Sequence, residues 1–440
     1  MFGLALSVLL TTLDYSVANV ALPTIAHSIH ARAADSIWVV NAYQLASLIG
    51  LLPLASAGEI TGQDRLCRVG LLVFVAASLC CAASQSLLQL SLARALQGIG
   101  GACIMSVNAS LVRYIYPQRL LGRGMSLNGL VVALGVALGP TVAAGVLSVA
   151  SWPWIFLINL PLGLIALLFA TISLPKVPRA PPERRFDWRS AVLLALAIGP
   201  LVVGLDRLAH QGSPGLSLML VGAGIACMAW LVRRQLSSAA PLLPVDLLRL
   251  GGFRTAFLVG FLAFVASNFF IIAMPFFFEL TLHRSAVQTG LLITPWPIAI
   301  VLVSPLVATI ADRYPAGLLS SIGLAITGTG FALLWAMQVH PSNVDIAWRI
   351  ALAGAGFGLF QPPNNRALLT AAPAQRSAGA SGMVSVARLS GQTIGAMLVA
   401  MVFQLLPHDS ARHCLASGAL VAFAAGLLSA GRLRPHSNTS

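Results

Sequence analysis

Fourteen times along its 440 residues the chain runs through an apolar stretch close to twenty residues long. The stretches fall near 2–23, 37–57, 69–86, 88–111, 125–147, 152–174, 189–206, 215–232, 254–279, 287–310, 317–338, 345–364, 379–405 and 413–431. About 20 such residues in an α-helix span the ~30 Å hydrocarbon core of a bilayer. In lipid only helices and closed barrels satisfy the backbone. Barrel strands alternate apolar and polar residues over about ten positions, and these runs do not. The chain is therefore read as an all-α membrane protein with fourteen crossings. Charged residues make up only 9% of it, against about 25% in soluble domains. The first stretch is too long for the apolar region of a cleaved signal and lacks a basic leader, so it reads as a retained helix.

The net charge of +14 follows topology, since no basic stripe interleaved with aromatics marks a nucleic-acid partner. With the N-terminus in the cytoplasm, nineteen of the 26 Lys and Arg fall in inner loops and the tail. Five lie in outer loops (Arg32, Arg207, Arg284, Arg349 and Arg412), and two, Arg94 and Arg388, lie inside spans. Inner loops carry the excess of positive charge, so this count predicts that both termini are cytoplasmic. A repeat also shows. A shift of 250 residues lays Gly58-Glu59-Ile60-Thr61-Gly62 on Ala308-Thr309-Ile310-Ala311-Asp312, each at the inner end of the second helix of a half. The expected organisation is a six-helix bundle over 1–174, then a basic cytoplasmic linker with two extra helices over 175–253. A second six-helix bundle follows over 254–431, with a cytoplasmic tail at 432–440. Two parallel six-helix halves are the sequence mark of a transporter that rocks about a central site.

The residue most at odds with its surroundings is Asp14, in LTTLDYSVANVALP (10–23). An ionised carboxylate near the bilayer centre costs ~2.5–3.5 kcal/mol on insertion scales. On an ideal helix Thr11, Thr12, Tyr15, Ser16 and Asn19 share an arc of roughly 140°, with Asp14 about 60° beyond its edge. Leu10, Leu13, Val17 and Val20 occupy the opposite side, which is read as a lipid face. Asp14 is either a proton carrier or a group that only hydrogen-bonds a neighbouring helix. Arg94 is its natural partner: at 1.5 Å per residue Asp14 lies about 17 Å from the inner face and Arg94 about 12 Å from the outer one, nearly the same depth. A pair that loosens when a proton or a cation competes, and a static ion pair, both fit. Arg388, with Gln392 one turn on, either balances a cavity charge or snorkels to the inner surface. The counterpart of Asp14 in the second half is Phe264, so no acid duplicates it there.

Gly135, Gly139, Pro140 and Gly145 in the fifth span allow close backbone approach and a bend. Gln361-Pro362-Pro363-Asn364-Asn365 is expected to break the twelfth helix near the inner exit, as a gate or cavity rim. Tyr15, Asn19, Gln97, Asn268, Trp296, Gln361, Arg388 and Gln392 are the candidate cavity residues. For each aromatic taken singly, Phe269, Phe270, Phe276, Phe277, Phe278 and Trp296 included, packing against lipid or core is the commoner fate. The six cysteines have no metal spacing, no phosphate-binding loop is present, and GAGFG (354–358) lies inside a membrane span. No cofactor and no enzyme chemistry are expected.

Five motifs taken in order resemble the fourteen-helix drug–proton antiporters of the major facilitator superfamily, the QacA/EmrB-like branch. They are LDYSVANVALP (13–23), LARALQGIGGA (92–102), GVALGPTVAAG (135–145), WPWIFLINLPLG (152–163) and GFGLFQPPNNRALL (356–369). The resemblance implies a major facilitator fold in a bacterial inner membrane. It also implies proton-coupled export of amphipathic neutral or cationic compounds by alternating access, with a periplasmic adaptor as an optional partner. It assigns Asp14 and Arg94 to proton coupling and the fifth-helix glycines to a tight seam at the outer gate. The loop between helices 2 and 3 departs from the family pattern, with Gly62 where an acid is usual, although Asp64-Arg65 would substitute after a slip of two residues. Its second-half copy keeps Asp312-Arg313. Gly58, Gly62, Asp64, Arg65, Asp312 and Arg313 are accordingly candidate gating residues, along with Pro362, Pro363 and Asn364. Two rival readings stay open: an exporter of one metabolite or amino acid, and a degenerate transporter acting as a sensor or scaffold.

Overall fold

The computed structural model describes residues 1–175, 177, 186–209, 213–237, 241–311, 313–338, 341–373 and 376–433. Asp312, most of the basic stretch 176–185 and the tail beyond 433 lie outside the described residues.

Uninterrupted apolar sequence in a solvent without hydrogen-bond partners leaves the backbone one local solution, the helix, and long helices follow one another throughout. In the first half these are α1 (Phe2–Val20), α2 (Trp38–Thr61), α3 (Gln63–Ala82), α4 (Leu87–Ile115), α5 (Leu121–Val149) and α6 (Asn159–Ser173). The extra pair is α7 (Trp188–Ala209) and α8 (Pro214–Leu236). The second half holds α9 (Gly251–Phe276), α10 (Ala286–Ile293 and Pro295–Ile310), α11 (Ala316–Trp335), α12 (Asn343–Thr370), α13 (Ser377–Leu405) and α14 (Ser410–Ala430). Thirteen are long and apolar enough to cross a membrane. The fourteenth, α12, has 28 residues and so reaches about 42 Å at 1.5 Å per residue. It falls short only in composition, through Asp345, Arg349 and its Gln-Pro-Pro-Asn-Asn stretch.

Two of the long helices open on a serine cap. The Ser86 hydroxyl accepts from the Gln89 N–H at 3.3 Å to open α4, and Ser342 accepts from the Asp345 N–H at 3.1 Å to open α12. The turn between α2 and α3 is a single residue, Gly62, at φ 106° and ψ 122°, a backbone conformation that side chains with a Cβ rarely adopt. That compactness corrects the expectation of a slipped loop. Asp64 falls in the first turn of α3, where it is buried and ion-paired with Arg68, while Arg65 on the same helix is exposed.

The chain forms two compact units, Met1–Leu243 with Arg284–Gly290, and Pro244–His283 with Leu291–Ser440. The extra pair therefore clusters with the first half, where α7 packs on α8 and touches α2. In the second unit the start of α9 is braced from below by Asp246, which accepts from Arg376 at 2.9 Å. Each unit fuses its third and fourth helices backbone to backbone. A Cβ on Gly100 of α4 would lie 2.7 Å from the Phe74 N of α3, and one on Gly356 of α12 would lie 2.5 Å from the Gly323 O of α11. The internal repeat is thus a packing repeat as well.

Two further expectations need correction. The supposed lipid face of α1 is buried: Leu10, Leu13, Val17 and Val20 are all 5% exposed or less. With α4, α5 and α6 packed against it, α1 is an interior helix, and one apolar side on a wheel does not reveal that. Nor is α12 broken, since Pro362 and Pro363 lie inside a continuous helix. The carbonyl that each proline ring crowds belongs to the residue four positions earlier. For Pro362 that residue is Gly358, which brings no side chain to the crowded turn and lies against Ile300.

Candidate functional site

Asp14 sits near the middle of α1, and two helices aim three donors at it. Arg94 and Gln97 are three residues apart on α4, so both project from one helical face. Arg94 Nη1 donates to Asp14 Oδ2 at 2.6 Å, and Gln97 Nε2 donates to Asp14 Oδ1 at 2.9 Å. Asn159, the first residue of α6, donates from Nδ2 to Asp14 Oδ1 at 2.6 Å. Further hydrogen bonds tie the donors together. Arg94 Nη1 also donates to Gln97 Oε1 at 2.6 Å, Gln97 Nε2 to the Ser78 hydroxyl of α3 at 2.8 Å, and Arg94 Nε to the Val39 carbonyl of α2 at 3.2 Å. The guanidinium carbon lies 4.4 Å from the Tyr43 ring centroid and 5.6 Å from that of Phe156. Five helices of the first half thus converge on one carboxylate.

The site is sealed: Asp14 is 2% exposed, Asn159 1%, and Arg94 and Gln97 0%. Among the described groups around Asp14 every hydrogen bond runs toward the carboxylate, the arrangement of an acid that carries its charge. Its ion pair is made through a single guanidinium nitrogen, and Arg94 Nη2 has no hydrogen-bond partner. A one-point contact is weaker than the bidentate fork that arginine can make. A buried pair of this kind adds little net stability, yet removing one partner costs about 3–5 kcal/mol because a bare charge stays behind.

The sequence placed Asp14 and Arg94 at one depth, and the structure brings them into contact. Gln97 was assigned to a cavity but belongs to this network. Asn159 and Ser78 were missed. Asn159 carried a signal, as the lone polar residue in IFLINLPLG, whereas Ser78 lies in AASLCC, where a serine is unremarkable.

The remaining candidates are dispersed. On the other side of α1, Gly135 and Gly139 of α5 face Thr12 and Ser16, and the Ser16 hydroxyl donates to the Val136 carbonyl at 3.0 Å. A Cβ on Gly139 would stand 2.1 Å from Ser16 Oγ. A Cβ on Gly145 would meet nothing within 4 Å, so this glycine is not required for a close approach. At Pro140 the close neighbour is Gly290, whose Cβ would stand 2.4 Å from the proline carbonyl oxygen. Gly58 packs on Val107 of α4. Tyr15 accepts at its hydroxyl from Gln44 Nε2 at 3.0 Å, and Asn19 donates back to the Tyr15 carbonyl at 2.7 Å.

In the second unit Trp296 is 3% exposed and stacked on Phe270 and Phe331, with ring centroids 4.8 and 5.8 Å away. Asn268 is fully buried and donates to the Gln392 carbonyl, with Gln392 and Arg388 half-buried on α13. Asn364 donates to the Ala256 carbonyl at 3.0 Å and accepts from Arg432 at 2.9 Å, while Gln361 is half-buried and Pro362 and Arg313 are exposed. A cavity of about 650 Å³ opens elsewhere, between α2 and the start of α7, lined by Ile49, Gly50, Pro53, Ile99 and Trp188 among others. None of the candidate residues lines it.

A sequence model of the Major Facilitator Superfamily matches residues 4–396, and a second match covers 256–439. An uncharacterized transporter of Escherichia coli (strain K12), YebQ, is 46% identical over 434 residues, which cover 98% of this chain and 94% of the relative. The multidrug resistance protein Stp of Mycobacterium tuberculosis (strain ATCC 25618 / H37Rv) is 29% identical over 402 residues, covering 90% of this chain and 74% of the relative. The crystal structure of a POT family transporter in complex with 5-aminolevulinic acid shares the fold, with a TM-score of 0.75 at 14% identity and coverage of 97% and 94%.

Proposed function

This chain belongs to the major facilitator superfamily, and from that premise we propose that it is a proton-coupled exporter of amphipathic drug-like compounds. The observation that carries the reading is the sealed carboxylate of Asp14, held by donors alone and paired to Arg94 through one nitrogen. The multidrug resistance protein Stp, at 29% identity, supports the substrate class.

In the proposed cycle a proton reaches Asp14 once a path to the sealed site opens. Each of its present neighbours donates to the carboxylate, so a protonated carboxyl loses the ion pair with Arg94 and leaves the donor cluster. Arg94 keeps Gln97 Oε1 and the Val39 carbonyl as partners, which lets the helix pair open without stranding a wholly bare cation. Release of the proton on the opposite side restores the closed network. One acid sealed deep inside a span implies few protons per cycle, and neutral or monocationic substrates fit that count best. The driving force suffices: about 2.3 kcal/mol per charge per 100 mV plus ~1.36 kcal/mol per pH unit sustains a gradient on the order of a few hundredfold.

The test is substrate-triggered proton release from proteoliposomes holding the purified chain, with lipophilic cationic dyes as first substrates. Wild type should release protons on dye addition, and Asp14→Asn should fall to background while still binding dye. Equal release by both proteins would make Asp14 structural. A narrow-specificity exporter is the second reading, and it gains ground if no dye releases protons but a single metabolite does.

A further inference from the structure

Of the buried carboxamides of the first unit that have unpaired polar atoms, three lie on α1 and α2. Asn19 of α1 and Asn41 and Gln44 of α2 are each 1% exposed. Asn19 Oδ1, Asn41 Oδ1, Asn41 Nδ2 and Gln44 Oε1 have no hydrogen-bond partner. Buried polar groups in native proteins are overwhelmingly satisfied, so each exception calls for a reason. Four exceptions on two neighbouring helices call for a shared one.

Helix geometry places these atoms at one level of the two helices. Gln44 Nε2 donates to the Tyr15 hydroxyl at 3.0 Å, and the Tyr15 and Tyr43 rings stack with centroids 6.5 Å apart. Asn19 stands one turn beyond Tyr15 on α1, and Asn41 stands nearly one turn before Gln44 on α2. Successive membrane helices run in opposite directions, so both steps lead to the same side of the Tyr15–Gln44 bond. The rises are about 6 Å and 4.5 Å, at 1.5 Å per residue. Residues four and three apart also keep to one helical face, so the two asparagines sit at matching depth on facing surfaces.

The chemistry of the unpaired atoms is lopsided, with three carbonyl oxygens and one amide N–H pair. Asn19 is fixed in this sense, because its Nδ2 is spent on the Tyr15 carbonyl at 2.7 Å. No carboxylate serves the cluster either, since both Asp14 oxygens are taken by Arg94, Gln97 and Asn159. We propose that Asn19, Asn41 and Gln44 form an uncharged subsite that accepts hydrogen bonds from an N–H-bearing group of the substrate, of the aryl amine or amide class. This rests on the transporter reading and deepens it: the subsite reads N–H groups rather than charge. Because all three residues are sealed here, the group enters only when the surfaces covering them withdraw, and it is enclosed when they return.

Two dyes of equal charge separate this from alternatives. Ethidium carries two aryl amines, while tetraphenylphosphonium has no N–H at all. Both are titrated against the purified full-length chain in detergent, wild type beside Asn41→Leu and the smaller Asn41→Ala. The expected result is ethidium binding weakened about tenfold in both variants, as for loss of about one hydrogen-bonded group, with tetraphenylphosphonium unchanged. The melting temperature of ligand-free Asn41→Leu should equal or exceed that of wild type, because unsatisfied polar atoms are gone. An equal loss for both dyes, unchanged ethidium binding, a lower melting temperature for ligand-free Asn41→Leu, or no ethidium binding by wild type each overturns the subsite. Dye binding that follows the expected pattern without proton release would instead sink the antiport reading and leave the subsite standing.

Discussion

At the scale of single residues the buried pair dominates, and its two members are not equivalent. Asp14 replaced by asparagine keeps its shape and one acceptor for Gln97 or Asn159. Arg94 replaced by alanine leaves an ionised carboxylate with only amide donors in a dry interior. Arg94→Ala is therefore expected to lose about 3–5 kcal/mol of stability, read as a large drop in thermal melting in detergent. The double variant Asp14→Asn/Arg94→Gln should recover most of that loss while remaining unable to couple protons. If Arg94→Ala melts with wild type, the pair is not a structural element at all. Depth arithmetic was enough to match Asp14 with Arg94, since both are charges in otherwise apolar sequence. Gln97 and Asn159 were visible as polar residues but not as partners, because which neighbour a helix face meets is decided by packing and not by period. Ser78 left no mark: serine fits an apolar helix with its hydroxyl bonded back to its own chain, as it is here to Phe74 O at 2.8 Å.

Among the elements, the contact between α1 and α5 carries the clearest consequence of small residues. Gly139→Val would force atoms into the space of Ser16, with the Cβ itself 2.1 Å from Oγ. Overpacking of that kind costs typically 1–3 kcal/mol, and transport should fall with it. Gly145→Val, with nothing within 4 Å, should transport and melt like wild type. Similar losses from both substitutions would sink the assignment of the seam to Gly139. The glycines stood out in the sequence as a set, and only neighbouring coordinates separate the one that packs from the one that does not. The same limit explains α12. Two adjacent prolines read as a break, yet a helix tolerates them where its neighbours and a glycine one turn earlier absorb the cost. Conversely, helix number and order were legible, because bilayer thickness fixes the length of every crossing.

For the molecule as a whole, the extra pair α7 and α8 is tied at one end by Asp187, just before α7. Partial burial pushes the Asp187 carboxyl up, but the Ser190 hydroxyl and N–H and the Arg234 guanidinium outweigh this and hold it below the ordinary range. Arg234 Nη2 lies 3.1 Å from Asp187 Oδ1. A carboxyl lowered on folding stabilises the fold above its unfolded value, about 3.9, and that contribution is lost as pH falls through the lower folded value. Wild type should therefore shed more thermal stability than Asp187→Asn between neutral pH and pH values below about 4. The gap is small because the pair is partly solvated. Parallel curves for the two proteins would show that Asp187 contributes nothing.

Of the fourteen long helices, α12 alone lacks the composition that carries a segment into lipid by itself, because Asp345 and Arg349 weigh against it. A growing chain commits each crossing according to its own transfer energy, so α12 depends on company at the moment of biosynthesis. Its closest backbone approaches are to α11, at Gly356 and Gly323, and to α10, at Gly354 and Trp296, so a bulky residue at Gly356 or Gly354 is expected to be a lesion of membrane insertion before it is a lesion of transport.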